Sequence, residues 1–133
     1  YNSGNMQALQ TTYTGRDVIW LSINSSAPGK QGNFTSKEIL SRAKEYGAAF
    51  SAYLIDADGK VGKAYGARTT PHMFIIDPEG QLVYAGGIDN IRSTDVDDVP
   101  RAKNFISQAL DEALAGQPIT DSISKAYGCS VKY

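Results

Sequence analysis

Two short apolar runs joined by a tight turn constrain the fold more than any other feature of the sequence. They are HMFIID at 72–77 and QLVYAG at 81–86, with PEG between them. Short β-rich runs on either side of a Pro/Gly turn predict an antiparallel hairpin, with strands at about 72–77 and 81–85. Pro71 stands directly before the first run. Proline removes a ladder donor and is tolerated mainly at a strand's first residue, at an edge or at a bulge.

An alternation of strands and helices precedes the hairpin. DVIWLSIN at 17–24 is β-rich with little alternation, which is typical of a strand covered on both faces. SAYLID predicts a second short strand, and VGKAYG predicts a single helical turn. Thr35 and Glu38 have the spacing of a capping box ahead of an amphipathic helix. Near the start of the chain, Ser3 or Asn5 is a candidate cap for a first helix.

A periodic apolar segment follows an acidic loop and predicts the closing helix at about 100–115. Pro100 suits a first helical turn, and apolar residues then recur at helical spacing up to Leu114. Gly116 and Pro118 stop the pattern. We therefore expect one α/β domain at 1–116, with helices on both faces of a mixed central sheet, and a tail at 117–133 that packs on it.

The composition excludes several classes of protein. The chain has 133 residues, a net charge of -1, one cysteine and one histidine. One cysteine excludes an internal disulfide and a multi-cysteine zinc site, and one histidine argues against a metal cluster. With a net charge of -1, the chain lacks the excess of basic residues that is typical of nucleic-acid-binding proteins. No segment approaches the roughly 20 apolar residues of a membrane span.

The segment LIDADGKVGKAYGARTTPHMFIIDPEGQLVYAGGID (54–89), together with VIWLSINSSAPGKQG and the ending YGCSVKY, resembles the redoxin branch of the thioredoxin fold. This branch contains proteins similar to alkyl hydroperoxide reductase and thiol-specific antioxidant. The resemblance implies a thioredoxin-like mixed sheet and a cis Thr70–Pro71 bond. It also implies that Thr70 and Pro71 contact the substrate, and that the activity needs no metal and no organic cofactor.

The same resemblance implies a strand and a reactive cysteine that residues 1–133 do not include. Redoxin-like proteins have a strand and a reactive cysteine at or before the first helix, whereas only Tyr1 and Asn2 precede Ser3 here. We therefore expect the domain to be incomplete at its N-terminus. Cys129, in the YGCSVKY ending, is the candidate resolving thiol. The alternative is a surface or packed thiol, since a lone cysteine often behaves as a small hydrophobe.

Two further groups of polar residues have simpler interpretations. An unperturbed histidine titrates near neutrality, so His72 is a conceivable proton shuttle, but a structural or surface histidine is the favoured interpretation. The loop IDNIRSTDVDD carries four aspartates that could hold calcium: Asp89, Asp95, Asp97 and Asp98. A solvated loop, with favourable charge at the start of the next helix, explains them better.

Two hypotheses of function stay open at this point. The first is a thiol–disulfide oxidoreductase or thiol peroxidase whose nucleophilic cysteine lies upstream of Tyr1. Its partners would be a thiol or disulfide protein, or a peroxide, in a periplasmic or exported setting. The second is a non-catalytic binding or assembly module. Its sheet would accept a strand from a partner or from a missing N-terminal segment.

Overall fold

The computed structural model describes residues 1–93 and 95–133. Two compact units are distinguished. Unit 1 consists of 1–67 and 131–133, and unit 2 consists of 68–130. None of the described helices has the length and apolar character that a membrane crossing requires.

Unit 1 consists of a parallel strand pair and three helices. The helices are α1 (Asn5–Thr14), α2 (Ser36–Glu45) and α3 (Lys60–Tyr65). Strands β1 (Leu21–Asn24) and β2 (Ala52–Ile55) pair in parallel, with Leu21 opposite Ala52 and Asn24 opposite Ile55. The buried apolar side chains of this unit are Leu9, Tyr13, Trp20 and Ile39. They come from α1, α2 and the residue before β1.

Unit 2 contains the predicted hairpin. Strand β4 (Met73–Ile76) pairs antiparallel with β5 (Leu82–Gly86), with a register shift between Ile75 and Ile76. Asp77 closes the turn, because its Oδ1 accepts hydrogen bonds from the backbone N–H groups of Glu79 and Gln81. The remaining elements are β3 (Thr69–Thr70), a 3-10 helix (Val96–Arg101), α4 (Phe105–Leu114) and β6 (Cys129–Ser130).

The buried residues of unit 2 come mainly from β5 and α4. The most buried of them are Tyr84, Ile106 and Ala109, each 1% exposed, with Leu110 at 5%. The tail also belongs to this unit as far as Ser130. It runs along β5, where the Ala85 N–H donates to the Ser122 carbonyl at 3.0 Å and the Ser124 N–H donates to the Ala85 carbonyl at 3.1 Å.

The elements agree with the sequence predictions in type, and several differ in extent. The capping box of Thr35 and Glu38 is present in both directions. The cap of α1 is Gly4, with no side-chain cap bond, instead of Ser3 or Asn5. The predicted strand at 17–24 is ordered as a strand only from Leu21.

The closing helix begins later than predicted. Pro100 lies inside the 3-10 helix, and α4 starts only at Phe105. The side chain of Asn104 accepts a hydrogen bond from the Ser107 N–H at 2.9 Å, which satisfies a donor of the first turn. The Lys103 N–H donates to Asn90 Oδ1 instead of continuing a helix from Pro100.

The strands form three two-stranded ladders. Within the described part of the chain, β2 is the only ladder partner of β1, and β5 is the only strand paired with β4. Neither strand therefore has a strand on its second edge among these residues. The continuous mixed sheet expected from the sequence appears here as separate pairs.

Candidate functional site

A two-residue ladder places the three candidate site residues together in unit 2. β3 and β6 pair antiparallel, with Thr69 opposite Ser130 and Thr70 opposite Cys129. Pro71 follows directly, and the Thr70–Pro71 peptide bond is cis. The thiol therefore lies across the ladder from the residue that precedes this proline. Sequence spacing alone could not show this proximity, because Cys129 follows Thr70 by 59 positions along the chain.

Gly128 allows the close approach of the two segments. Its φ is +128°, a conformation that side-chain-bearing residues rarely adopt. A Cβ at this position would collide with the Thr70 carbonyl oxygen. The glycine before the cysteine is therefore required by the ladder itself, a role that the sequence analysis did not identify.

The site lies at the protein surface. Thr70, Pro71 and Cys129 are all exposed, and the Cys129 thiol is free. The Thr69 hydroxyl donates to the Pro71 carbonyl at 2.8 Å, which ties the two sides of the peptide bond together. An exposed thiol on a short paired segment is sterically open to a disulfide or to a small oxidant.

The surroundings of His72 disfavour its protonated form. The Arg68 N–H donates to His72 Nδ1 at 3.2 Å, and the ring stacks on Phe74 with 4.5 Å between centroids. Burial lowers the pKa of His72, and the charge of Arg68 lowers it further. Since Nδ1 acts as an acceptor from the backbone, this geometry agrees with the structural interpretation of His72.

A buried carboxylate in unit 1 was missed by the sequence analysis. Asp56 is 7% exposed. Its Oδ2 accepts from the Ser25 hydroxyl at 2.7 Å and the Gly62 N–H at 2.8 Å, and its Oδ1 accepts from the Val61 N–H at 3.1 Å. Burial alone would raise the pKa of Asp56, but these hydrogen bonds outweigh it and the pKa is lowered. The side chain fixes the start of α3 and has a structural role.

The acidic loop is less uniform than the sequence predicts. Asp95 accepts from the Asp97 N–H at 3.0 Å and so caps the 3-10 helix. Asp89, expected to be solvated, is only 6% exposed and accepts from the Tyr127 hydroxyl at 2.7 Å. Among the described residues, no three His, Cys, Asp or Glu side chains cluster as metal ligands would.

The sequence and the fold can now be compared with known proteins. The Redoxin family model matches residues 5–106. A hypothetical protein from Sinorhizobium meliloti 1021 has a similar crystal structure, with a TM-score of 0.82, 30% identity and coverage of 98% of this chain and 70% of that chain. An uncharacterized conserved protein from Geobacillus kaustophilus gives a TM-score of 0.82 at 28% identity, covering 98% of this chain and 68% of that one. No curated protein matches the sequence.

These similarities confirm the thioredoxin-like α/β fold expected from the sequence. They suggest a redox function of the thioredoxin type and name no substrate. The family match spans most of the chain, from α1 to the start of α4. The chain belongs to the Redoxin family.

Proposed function

We propose that the protein is a thiol–disulfide oxidoreductase or thiol peroxidase in which Cys129 is the resolving thiol. The observation that supports this most directly is the pairing of Cys129 with Thr70, next to Pro71. The thiol is exposed. It is preceded by Gly128, where the close approach of β6 to β3 leaves no room for a Cβ. The sequence holds one cysteine, so the exchange needs a second thiol from outside residues 1–133, on the same protein or on a partner.

The proposed chemistry has two steps. The second thiol, as a thiolate, attacks a peroxide; the O–O bond breaks, and water or an alcohol leaves while the sulfur becomes a sulfenic acid. Cys129 then attacks that sulfur, forming a disulfide and releasing water. With a disulfide substrate, the second thiol, as a thiolate, first attacks the substrate disulfide, which forms a mixed disulfide and releases one substrate thiol. Cys129 then attacks the sulfur of the second thiol, which forms a disulfide with Cys129 and releases the other substrate thiol. An external thiol reductant returns both sulfurs to their reduced state.

Thr70 and Pro71 would shape the surface that contacts the substrate, and neither would act as an acid or a base. Thr70 is already paired through its backbone to Cys129, so an extended substrate would meet a surface formed by Pro71 and the β6 segment. His72 takes no part in proton transfer in this proposal, since its Nδ1 accepts from the backbone.

The test is turnover of peroxide or disulfide by the full-length gene product with a thiol reductant. Cys129→Ser should slow turnover at least tenfold, while a single round of oxidation proceeds at an unchanged rate. Intact-mass measurement of the oxidised protein should show a disulfide that requires Cys129. A loss of two hydrogens indicates a bond within one chain, and the added mass of a partner indicates a mixed disulfide.

A matched control moves the thiol by one position. In Cys129→Ser combined with Ser130→Cys, the thiol stays on β6 but lies opposite Thr69 instead of Thr70. Successive strand residues point to opposite faces, so this variant should stay slow. Full turnover in Cys129→Ser, or full rescue by the shifted thiol, would contradict the proposed role.

A second candidate, a strand-binding module, is favoured by one observation in unit 1. Ile19, Leu21 and Ile23 are 76%, 49% and 44% exposed at alternate positions along and just before β1. The second edge of β1 has no ladder among the described residues. An apolar strand with an open edge is a template for an added strand.

This candidate can be tested by binding of a labelled extended peptide with apolar residues at alternate positions, followed by fluorescence anisotropy. Ile23→Lys should abolish binding, because it places a charge beside the open edge. Leu40→Lys, at a residue of α2 that is 72% exposed, is the control and should leave binding unchanged. Binding that Cys129→Ser does not alter, in a protein without turnover, would favour the module over the enzyme.

A further inference from the structure

A small cavity in unit 2 contains charges of both signs and has no part in the proposed thiol chemistry. Its volume is about 190 Å³, and its lining residues are Asp89, Asn90, Arg92, Phe105, Ser124 and Lys125. Sites for drug-sized ligands usually have volumes of about 300–1,000 Å³. The cavity therefore suits a ligand of only a few heavy atoms.

Asp89 is the buried polar group of this cavity. The residue is 6% exposed, and its Oδ1 accepts from the Tyr127 hydroxyl at 2.7 Å and the Ile91 N–H at 3.1 Å. Oδ2 receives no hydrogen bond from the residues that the structure describes, and it is not fully enclosed, unlike Gln7 Oε1 and Glu112 Oε1. Since Asp89 lines the cavity, we infer that this oxygen is available to a ligand bound there.

Two cationic side chains lie at the same cavity. Arg92 and Lys125 are both exposed. Neither forms an ion pair within residues 1–93 and 95–133. Phe105, the first residue of α4, adds an aromatic side chain to the lining.

The arrangement excludes the simplest ions. A hard divalent cation takes six to eight oxygen ligands, usually including several carboxylates, whereas Asp89 is the single carboxylate here and two cations lie beside it. An inorganic anion would meet the two cations but would also face the open oxygen of Asp89. A ligand that carries both charges satisfies both sets of groups.

We propose that this cavity binds a small zwitterion with the charges and size of a free α-amino acid. The ammonium group donates to Asp89 Oδ2, and the carboxylate lies between Arg92 and Lys125. The ligand side chain then lies against Phe105 or points to solvent. This proposal does not depend on the redox function.

Occupancy of the cavity would also order the segment that carries Cys129. Lys125 lies against Gly87, where an added Cβ would be 2.9 Å from the Lys125 carbonyl oxygen, and the Ser124 hydroxyl accepts from the Gly87 N–H at 2.9 Å. Tyr127 in the same segment donates to Asp89. A ligand that joins Asp89 to Lys125 therefore adds a link between the end of the hairpin and residues 122–130, and amide hydrogen exchange of that segment slows.

The experiment is isothermal titration of the protein with the standard free amino acids at millimolar concentration. N-acetylglycine and glycinamide serve as probes that lack one charge each. At least one free amino acid should bind saturably, and both single-charge probes should fail. Asp89→Asn, Arg92→Gln and Lys125→Gln should each weaken binding at least about tenfold, the effect of losing one charge-assisted hydrogen bond. Glu79→Gln and Arg101→Gln change equivalent charges away from the cavity and should have no effect.

If Asp89→Asn fails to fold, the two surface variants decide the result. Binding that persists at full strength in both Arg92→Gln and Lys125→Gln would overturn the proposal. Equal binding of glycine and glycinamide, or no saturable binding by any amino acid, would do the same. In the bound protein, hydrogen exchange across 122–130 should be slower than in the free protein, and an unchanged rate would contradict the link to the tail.

Discussion

At the residue scale, Gly128 shows how a single missing Cβ decides where a thiol lies. The residue combines a φ of +128° with contact to the Thr70 carbonyl. Any side chain there must move β6 away from β3. The position of Cys129 thus depends on its neighbour in the sequence as much as on its own side chain.

We expect Gly128→Ala to destabilise the protein by about 1–3 kcal/mol, the usual cost of a residue held in a sparsely populated backbone region. Exposure of Cys129 to a thiol reagent should rise as well, because the ladder opens. Urea unfolding and the rate of thiol modification measure the two effects. Gly116→Ala is the control: its φ is +70° and nothing lies within 4 Å of the added Cβ, so it should cost stability without altering Cys129. Equal modification rates in both variants would contradict the steric argument.

Asp56 should make the stability of the protein depend on pH in the acid range. Its folded-state pKa lies below the ordinary value, which is about 3.9 in an unfolded chain. Its contribution is therefore present above pH 4 and is lost as the pH falls through the folded-state pKa. The free energy of unfolding from urea titrations between about pH 7 and pH 3 measures this loss.

Asp56→Asn should lower stability at neutral pH by about 1–3 kcal/mol, because the amide cannot accept from all three donors. It should also flatten the acid limb of the stability curve. Glu45→Gln, which neutralises an exposed carboxylate on α2 of the same unit, is the control. An acid limb as steep in Asp56→Asn as in the parent would mean that another group titrates.

The residues of the candidate site differed in how far the sequence could identify them. Thr70, Pro71 and Cys129 could be named in advance because each stands in a recognisable motif. Gly128 and Asp56 could not, because their roles depend on partners distant in sequence: the Thr70 carbonyl for the first, and the Ser25 hydroxyl for the second. Asp89 was misjudged because its surroundings, including Tyr127, are set by the path of the tail.

At the scale of elements, α4 shows which local signal determines a helix start. Pro100 and Asn104 both favour the start of a helix. Proline does so because its ring fixes φ at a helical value, and asparagine does so because its side chain can cap a backbone N–H. In the structure α4 begins directly after its N-cap residue, Asn104, whereas Pro100 lies in the 3-10 helix. The hairpin was predicted to within a few residues because turn and strands agree locally.

Asn104→Ala should therefore destabilise the protein by about 0.5–2 kcal/mol, the usual cost of losing an N-cap side chain. Pro100→Ala should have a smaller effect, since the residue is exposed and precedes the helix. Thermal unfolding followed by circular dichroism compares the two. A larger loss for Pro100→Ala would place the start of the helix back at the proline.

At the scale of the whole molecule, the fold class could be predicted because the order of helices and strands allows few topologies. The pairing of strands into three separate ladders could not, because it depends on which edges find a partner. Each unit has its own buried apolar side chains. These positions, more than the short ladders, should determine the stability of each unit.

Ile106→Ala should destabilise unit 2 by about 2–5 kcal/mol, since the side chain is 1% exposed and truncation leaves a cavity. Ile123→Ala removes the same atoms from a residue that is 81% exposed and should change stability by no more than about 0.5 kcal/mol. Denaturant titration of both variants measures the difference. Comparable losses would mean that Ile123 is buried in solution.

The β3–β6 ladder consists of two residue pairs, and its brevity has a kinetic consequence. A segment held by so few backbone bonds opens with far less free energy than the core of the same unit, so it separates and closes many times during one global unfolding event. The amides of Thr70 and Cys129 should exchange their hydrogens orders of magnitude faster than those of Tyr84 or Ile106. The reach of the Cys129 sulfur toward a second thiol is then set by the open form of this segment. Each time the ladder closes, the thiol returns to its position opposite Thr70.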